Sequence, residues 1–253
     1  VDDNALLRHS RHILLEEYGI GGQARVDAGH ALVIGAGGLG SPVCLYLAAA
    51  GVGHITLVDD DDVDLTNLQR QIAHATTRVG QAKVASAAEA MHAINPDIAI
   101  TTHALRADDA MLSALIEAAD VVIDCSDNFA TRHAVNRACV RHAKPLVAGA
   151  AIRFDGQLSV YDTRDAASPC YACVFPADAD FEETRCAVLG AFGPVVGTIG
   201  TLQASEALKL LAGISPSMAG RLLMFDGRAT RFDCLQLARD PDCPVCRQRP
   251  SRH

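Results

Sequence analysis

From residue 31 onward, short runs of apolar residues alternate with longer stretches in which apolar positions recur at three- and four-residue spacing. Residues 31–34, 54–59, 98–103, 120–124 and 145–150 are short and mainly apolar, which predicts strands buried on both faces. Residues 39–50, 79–94, 108–118 and 128–142 fall between them and predict helices. This order implies a mostly parallel sheet with helices on both faces, an α/β fold of Rossmann-like type. After residue 151 the pattern changes to alternation at 157–161, 222–225 and 230–235, which predicts antiparallel strands extending the same sheet. Residues 195–211 predict a long buried helix, and residues 162–192, without periodicity, an extended loop or crossover. Upstream, residues 4–17 predict a helical arm capped by Asn4 and ended by the Gly19-Ile-Gly-Gly22 cluster.

Composition narrows the class. Of 253 residues 49% are hydrophobic, which suffices for a buried core, and the net charge of −8 argues against broad binding to nucleic acid. No apolar run approaches the roughly 18 residues of a membrane span, and the Val1-Asp-Asp-Asn start lacks the features of a signal peptide, so a cytoplasmic protein is expected. Nine cysteines make an odd number for a disulfide framework. Cys170-Tyr-Ala-Cys173 and Cys243-Pro-Val-Cys246 are paired, whereas Cys44, Cys125, Cys139, Cys186 and Cys234 stand alone.

Gly35-Ala-Gly-Gly-Leu-Gly40 follows a predicted strand and opens a predicted helix, so Gly35, Gly37, Gly38 and Gly40 permit a tight turn and close approach of a phosphate to the helix N-terminus. Asp59 ends the next strand, where an acidic side chain can accept hydrogen bonds from ribose hydroxyls. That much fits NAD as well as ATP. Two features favour ATP. Asn67, Arg70 and Gln71 share a face if their turn is helical, which with Lys83 sets two cations beyond Asp59, suited to neutralising a departing pyrophosphate. Asp124-Cys-Ser-Asp127-Asn128 ends the fourth strand, where a carboxylate can hold Mg²⁺ or, alternatively, cap the next helix.

These residues together resemble the ThiF/MoeB/HesA family, bacterial relatives of the ubiquitin-activating enzymes. The resemblance runs from Arg8 to Cys246 and rests on Arg8-His-Ser-Arg11, the glycine loop through Ser41, Asp59 and Asp61, Thr66-Asn-Leu-Gln-Arg-Gln71, Val79-Gly-Gln-Ala-Lys83, Asp124-Cys-Ser-Asp-Asn128, Gly149-Ala-Ala-Ile-Arg153 and both Cys-x-x-Cys pairs. It implies that Asp59 binds the ribose, that Asn67, Arg70 and Lys83 contact the phosphates, and that Asp127 positions magnesium. Asp61, Thr66, Leu68, Gln69 and Asn128 fall inside the same motifs and join the candidate nucleotide site. The resemblance also implies a homodimer in which Arg11 reaches the neighbouring subunit's ATP. His9 and His12 depart from the family's usual arm, so His12 inherits no role.

The implied reaction is attack by the C-terminal Gly-Gly carboxylate of a small ubiquitin-fold sulfur carrier on the α-phosphate of ATP, giving an acyl-adenylate and pyrophosphate. The carrier expected is the small subunit of molybdopterin synthase, in molybdenum cofactor biosynthesis; the thiamine-pathway carrier is the alternative, and an NAD(P)-dependent oxidoreductase the different-class one. Four thiolates satisfy tetrahedral zinc completely, so the metal read for Cys170, Cys173, Cys243 and Cys246 is structural, with a redox dithiol as the alternative. Cys186 follows a cation that can lower its pKa, and in relatives a cysteine here can be linked to the carrier; an inert thiol is the other reading. The sequence ends seven residues after Cys246, so the sulfur donor is expected to be a separate protein. The expected organisation is one adenylation domain over 1–253: a helical arm at 1–29, a nucleotide-binding core at 30–151, and a partner-binding half with a zinc knuckle at 152–253.

Overall fold

The computed structural model describes residues 3–177 and 189–249. Eight strands form one sheet in the order β3-β2-β1-β4-β5-β6-β7-β8. Five of them, β1 (His30–Ile34), β2 (His54–Val58), β3 (Ala99–His103), β4 (Val121–Asp124) and β5 (Leu146–Ile152), run parallel. The other three, β6 (Asp155–Tyr161), β7 (Arg221–Asp226) and β8 (Arg231–Gln236), continue the sheet antiparallel. The alternation after residue 151 thus marks the change in strand direction. The central strands β1, β2 and β4 are buried almost throughout. β3 differs from its apolar expectation: as the edge strand it is mostly exposed and ends in Thr101, Thr102 and His103.

Two apolar layers cover the sheet. On one face lie α4 (Gly40–Ala50), α5 (Lys83–Ile94) and α9 (Gly193–Ala212), with Val33, Leu47, Ile55, Met91, Val147 and Ile199 among the buried residues between them. On the other, α6 (Asp109–Ala118) and α7 (Phe129–His142) pack on Leu32, Ile116, Val122, Val135 and Leu146. Each fully buried Leu or Ile of these layers contributes about 1.5–3 kcal/mol relative to exposure. No helix among the described residues is long and apolar enough to cross a membrane.

The N-terminal arm departs from the single helix expected. It consists of α1 (Asp3–Arg8), α2 (Ser10–Ile13) and α3 (Gly19–Ala28), and the glycine cluster opens the third helix instead of ending the first. Asn4 lies inside α1 and not at an N-cap position. Tertiary contacts outweigh local propensity here: Gly22 packs so closely on the Tyr18 ring that a Cβ would stand 3.3 Å from it, and the buried Gln23 donates to Asp27 Oδ1 (2.6 Å) and the Ala50 carbonyl (3.0 Å). The helix expected from residue 79 begins only at Lys83, because residues 79–82 are used in a turn: the Val63 N–H donates to Gln81 O (2.8 Å) and Asp62 bridges to Ala82. Inside the expected crossover the chain forms one further turn of helix, α8 (Tyr171–Val174).

Candidate active site at the carboxyl edge of the sheet

β1 pairs with β2 on one side and β4 on the other, so the chain reverses direction across the sheet at the β1/β4 boundary. Parallel α/β sheets open their ligand crevice at such a point, outside the carboxyl ends of the strands. Ile34 is in register with Asp124, which sets the glycine loop beside the loop from Asp124 to Asn128. Gly35 has φ +96°, and a Cβ there would stand 2.8 Å from the Cys125 carbonyl oxygen, so the residue is confined to glycine by both conformation and space.

Asp59 buttresses the loop: its Oδ2 accepts the Ala36 N–H (2.7 Å) and its Oδ1 the Asp61 N–H (2.9 Å). Burial raises its pKa, while those two N–H groups and Lys83 pull the other way. Lys83 is buried at the start of α5 and donates from Nζ to Asp61 Oδ2 at 2.7 Å. The segment from Thr66 to Gln71 folds over the glycines. A 3₁₀ turn, Leu65–Asn67, is capped by Asp64, whose Oδ1 accepts the Thr66 N–H (2.7 Å). The Asn67 carbonyl accepts the N–H groups of both Arg70 (3.1 Å) and Gln71 (3.0 Å). Asn67 and Arg70 do converge, with Arg70 Nη2 donating to Asn67 Oδ1 at 2.9 Å, but Gln71 turns inward and is buried beside Gly37. The Arg70 stem lies along Gly38, while Leu68 is half-buried and Gln69 exposed.

On the neighbouring loop Asp127 is exposed and Asn128 takes the capping role, its Oδ1 accepting the Thr131 N–H at 2.9 Å. Asp124 is buried with Oδ2 unpartnered; burial raises its pKa against the opposing Arg132. The loop is held from behind by Gln203 of α9, whose Nε2 donates to the Asp124 carbonyl (2.8 Å), and by Arg132, which donates to the Ser126 carbonyl (2.8 Å). Sequence reasoning missed Gln203, Arg132 and the buried His74, which touches the Ala36 carbonyl. None belongs to a spaced motif that would have exposed it.

The edge therefore brings together Gly35, Gly37, Gly38, Gly40, Asp59, Asp61, Thr66, Asn67, Arg70 and Lys83, with Asp127 on the adjacent loop. It does not bring Arg11, which is exposed on α2 in the arm. Cys186 lies outside the described residues.

A second cluster joins the chain's C-terminal part to α8. The sulfur atoms of Cys170, Cys173, Cys243 and Cys246 all lie within 4.8 Å of one another. Cys170 Sγ is 3.8 Å from the sulfurs of both Cys243 and Cys173, and Cys173 Sγ is 3.5 Å from that of Cys246. A tetrahedral Zn–S distance of about 2.3 Å requires sulfur atoms about 3.8 Å apart, so the four thiols fit such an ion. A dithiol needs only one pair, and the convergence of both favours metal over the redox alternative. Hydrogen bonding to its neighbours, Cys170 first, lowers the pKa of Cys173 and favours the thiolate. Asn136 supports the cluster, donating from Nδ2 to Cys170 Sγ (3.7 Å) while its Oδ1 accepts the Tyr171 N–H (2.9 Å).

The ThiF family model matches residues 9–245. Over 248 residues the chain is 44% identical to the molybdopterin-synthase adenylyltransferase of Escherichia coli, covering 98% of this chain and 99% of that protein. It is 47% identical over 246 residues to the bovine adenylyltransferase and sulfurtransferase MOCS3, covering 96% of this chain but 54% of that protein. The chain thus spans about half the length of the MOCS3 relatives it matches. Among solved structures, E. coli MccB with ATP is similar at a TM-score of 0.81 and 25% identity, over 97% of this chain and 75% of that one.

Proposed function

The chain belongs to the ThiF family, and we propose that it uses ATP to adenylylate the C-terminal Gly-Gly carboxylate of a small ubiquitin-fold sulfur carrier, the small subunit of molybdopterin synthase. The observation that carries this reading is the convergence of the glycine loop, Asp59, Arg70, Lys83 and Asp127 at one sheet edge, in a chain that aligns along nearly all of a bacterial molybdopterin-synthase adenylyltransferase. That relative favours the molybdopterin carrier over the thiamine one. Family membership removes the oxidoreductase alternative.

In this reading the loop N–H groups and the start of α4 receive phosphate oxygens, and Asp59 accepts the ribose hydroxyls with the lone pairs its two backbone partners leave open. One carboxylate oxygen of the carrier attacks the α-phosphorus as the bond to the β-phosphate oxygen breaks, and pyrophosphate departs. No proton moves, so no general base is required; alignment and charge neutralisation by Arg70 and Lys83 suffice. Asp127 offers the exposed carboxylate oxygen that suits Mg²⁺, which when bound would neutralise phosphate charge. The four cysteines would hold a structural zinc, with no position left open for catalysis.

The exposed side chains of Met224 and Leu235, on one face of the antiparallel extension, offer the carrier an apolar contact. Exposed Leu14, Leu15 and Tyr46 around the arm suit a second copy of the chain, which would bring Arg11 to the partner's site. The described cysteines outside the four-cysteine cluster, Cys44, Cys125, Cys139 and Cys234, are free thiols, which fits a reducing compartment such as the cytoplasm.

The test is exchange of labelled pyrophosphate into ATP with purified molybdopterin-synthase or thiamine-pathway carrier, each with and without its terminal glycine. Exchange that needs the intact molybdopterin carrier is expected. Exchange only with the thiamine carrier would reassign the pathway, and none with either would end the adenylylation reading.

A further inference from the structure

A chain of hydrogen bonds, closed into a circuit through helix α5, surrounds the base of the glycine loop. Lys83 Nζ donates to Asp61 Oδ2 (2.7 Å), the Asp61 N–H to Asp59 Oδ1 (2.9 Å), and the Ala36 N–H to Asp59 Oδ2 (2.7 Å). The Ala36 carbonyl faces His74 Nε2 at 2.9 Å, and His74 Nδ1 faces Ser86 Oγ at 2.9 Å. Ser86 lies three residues after Lys83 on α5, which completes the circuit. Both Ser86 and His74 are buried.

The protonation pattern of the circuit follows from its partners. A carbonyl oxygen only accepts, so Nε2 of His74 carries the proton; in the neutral ring Nδ1 then accepts from the Ser86 hydroxyl. Burial lowers the pKa of His74 and favours this neutral form. A trans peptide points its C=O and the following N–H in opposite directions. Holding the Ala36 carbonyl against His74 therefore turns the Gly37 N–H towards the open side of the loop, and that N–H has no protein acceptor among the described hydrogen bonds.

We propose that His74 is a positioning residue for the nucleotide phosphates: together with Ser86 it locks the Ala36–Gly37 peptide so that an N–H, and not a carbonyl oxygen, faces the phosphate. A flipped peptide would set oxygen against oxygen. The inference rests on the reading of this loop as the ATP site. Asp59 fixes the other side of the same residue through the Ala36 N–H, so the ribose contact does not depend on His74 and the two can be separated by ligand.

Dissociation constants of the full chain for ATP and for adenosine, measured by titration calorimetry, test this. His74→Ala is expected to weaken ATP about tenfold and adenosine less than about twofold, whereas His74→Gln, whose side-chain N–H can still reach the carbonyl, stays within about threefold of the parent for ATP. Ser86→Ala, which removes one hydroxyl and decides the matter even if His74→Ala fails to fold, is expected to weaken ATP about threefold and leave adenosine unchanged. Equal losses for ATP and adenosine, or unaltered ATP binding in Ser86→Ala, would overturn the inference alone. A parent protein that binds no ATP would overturn the ATP reading and this inference with it.

Discussion

Lys83 carries its ammonium to within 2.7 Å of Asp61 Oδ2 from a side chain that is only 6% exposed, whereas the Asp61 side chain is 66% exposed. The cation is fixed and its counterion is solvated, so the two residues contribute differently. Lys83→Met should leave the fold intact and lower pyrophosphate exchange by at least about a hundredfold, the scale of losing one preorganised charge at a transition state. Asp61→Asn should cost about 1 kcal/mol of stability, in the range of one net hydrogen bond, and a smaller share of exchange. Urea unfolding and exchange assays on both variants check the split; a larger exchange loss in Asp61→Asn than in Lys83→Met would contradict it.

Asp127 and Asn128 are adjacent, yet only Asn128 caps α7. Removing the cap in Asn128→Ala should cost about 1 kcal/mol, visible as a lower urea midpoint. Asp127→Ala should abolish exchange without moving that midpoint, since its side chain is exposed. An active Asp127→Ala enzyme would remove the magnesium role from this residue.

If Arg11 completes the site of a neighbouring subunit, it and Lys83 lie in different chains of one active site. Arg11→Ala and Lys83→Met proteins, each inactive alone, should then regain about a quarter of parental exchange when their subunits are mixed and reassembled, because random pairing makes half the dimers mixed and each mixed dimer holds one intact site. Failure to recover activity in verified mixed dimers would place Arg11 in its own subunit's site or in none.

Much of this edge was legible in the sequence because its chemistry lies in contiguous motifs. The strand, glycine and acid spacing put Gly35 just past one strand and Asp59 just past the next, where the fold has them, and the change to alternating residues after 151 marked the antiparallel strands. What the sequence hid depends on contacts between distant segments. The Gly19–Gly22 cluster reads as a helix stop, but packing on Tyr18 and the bonds of Gln23 make it a helix start. Gln203 holds the Asp124 carbonyl from 79 residues away, and no local pattern reports such a bond. His74 stands among ordinary turn residues, and only the fold sets it between Ala36 and Ser86.

Four histidines, His9, His54, His74 and His133, have pKa values lowered chiefly by burial. In the unfolded chain they protonate near 6.5, before the folded chain accepts the proton, so the unfolded state binds more protons as pH falls below that value. Stability from these groups is therefore fully present above about pH 6.5 and is lost as pH drops from there towards the folded values. Urea unfolding at pH 7.5, 6.5 and 5.5 should show this decline, and His9→Gln should make it shallower. A His9→Gln protein whose stability falls as steeply as the parent's would show that His9 binds protons alike in both states.

Asn136 ties the cysteine cluster to α7: Nδ2 donates to Cys170 Sγ while Oδ1 accepts the N–H of Tyr171, the next residue. A donor on a ligating sulfur spreads its negative charge and fixes its direction, and loss of such a supporting contact typically costs 10–100-fold in metal affinity. Protein purified under reducing conditions should release about one zinc per chain when denatured with a chromophoric chelator. Asn136→Ala should hold zinc at least about tenfold more weakly in competition with the same chelator under native conditions, and excess zinc should restore its melting temperature. Asn136→Asp, which keeps the acceptor for Tyr171 but turns a donor into a carboxylate beside the thiolates, should bind zinc more weakly still. Parental zinc affinity in both variants would show that the contact with Cys170 does not support the metal, and zinc-free parent protein would return the cysteines to the dithiol reading.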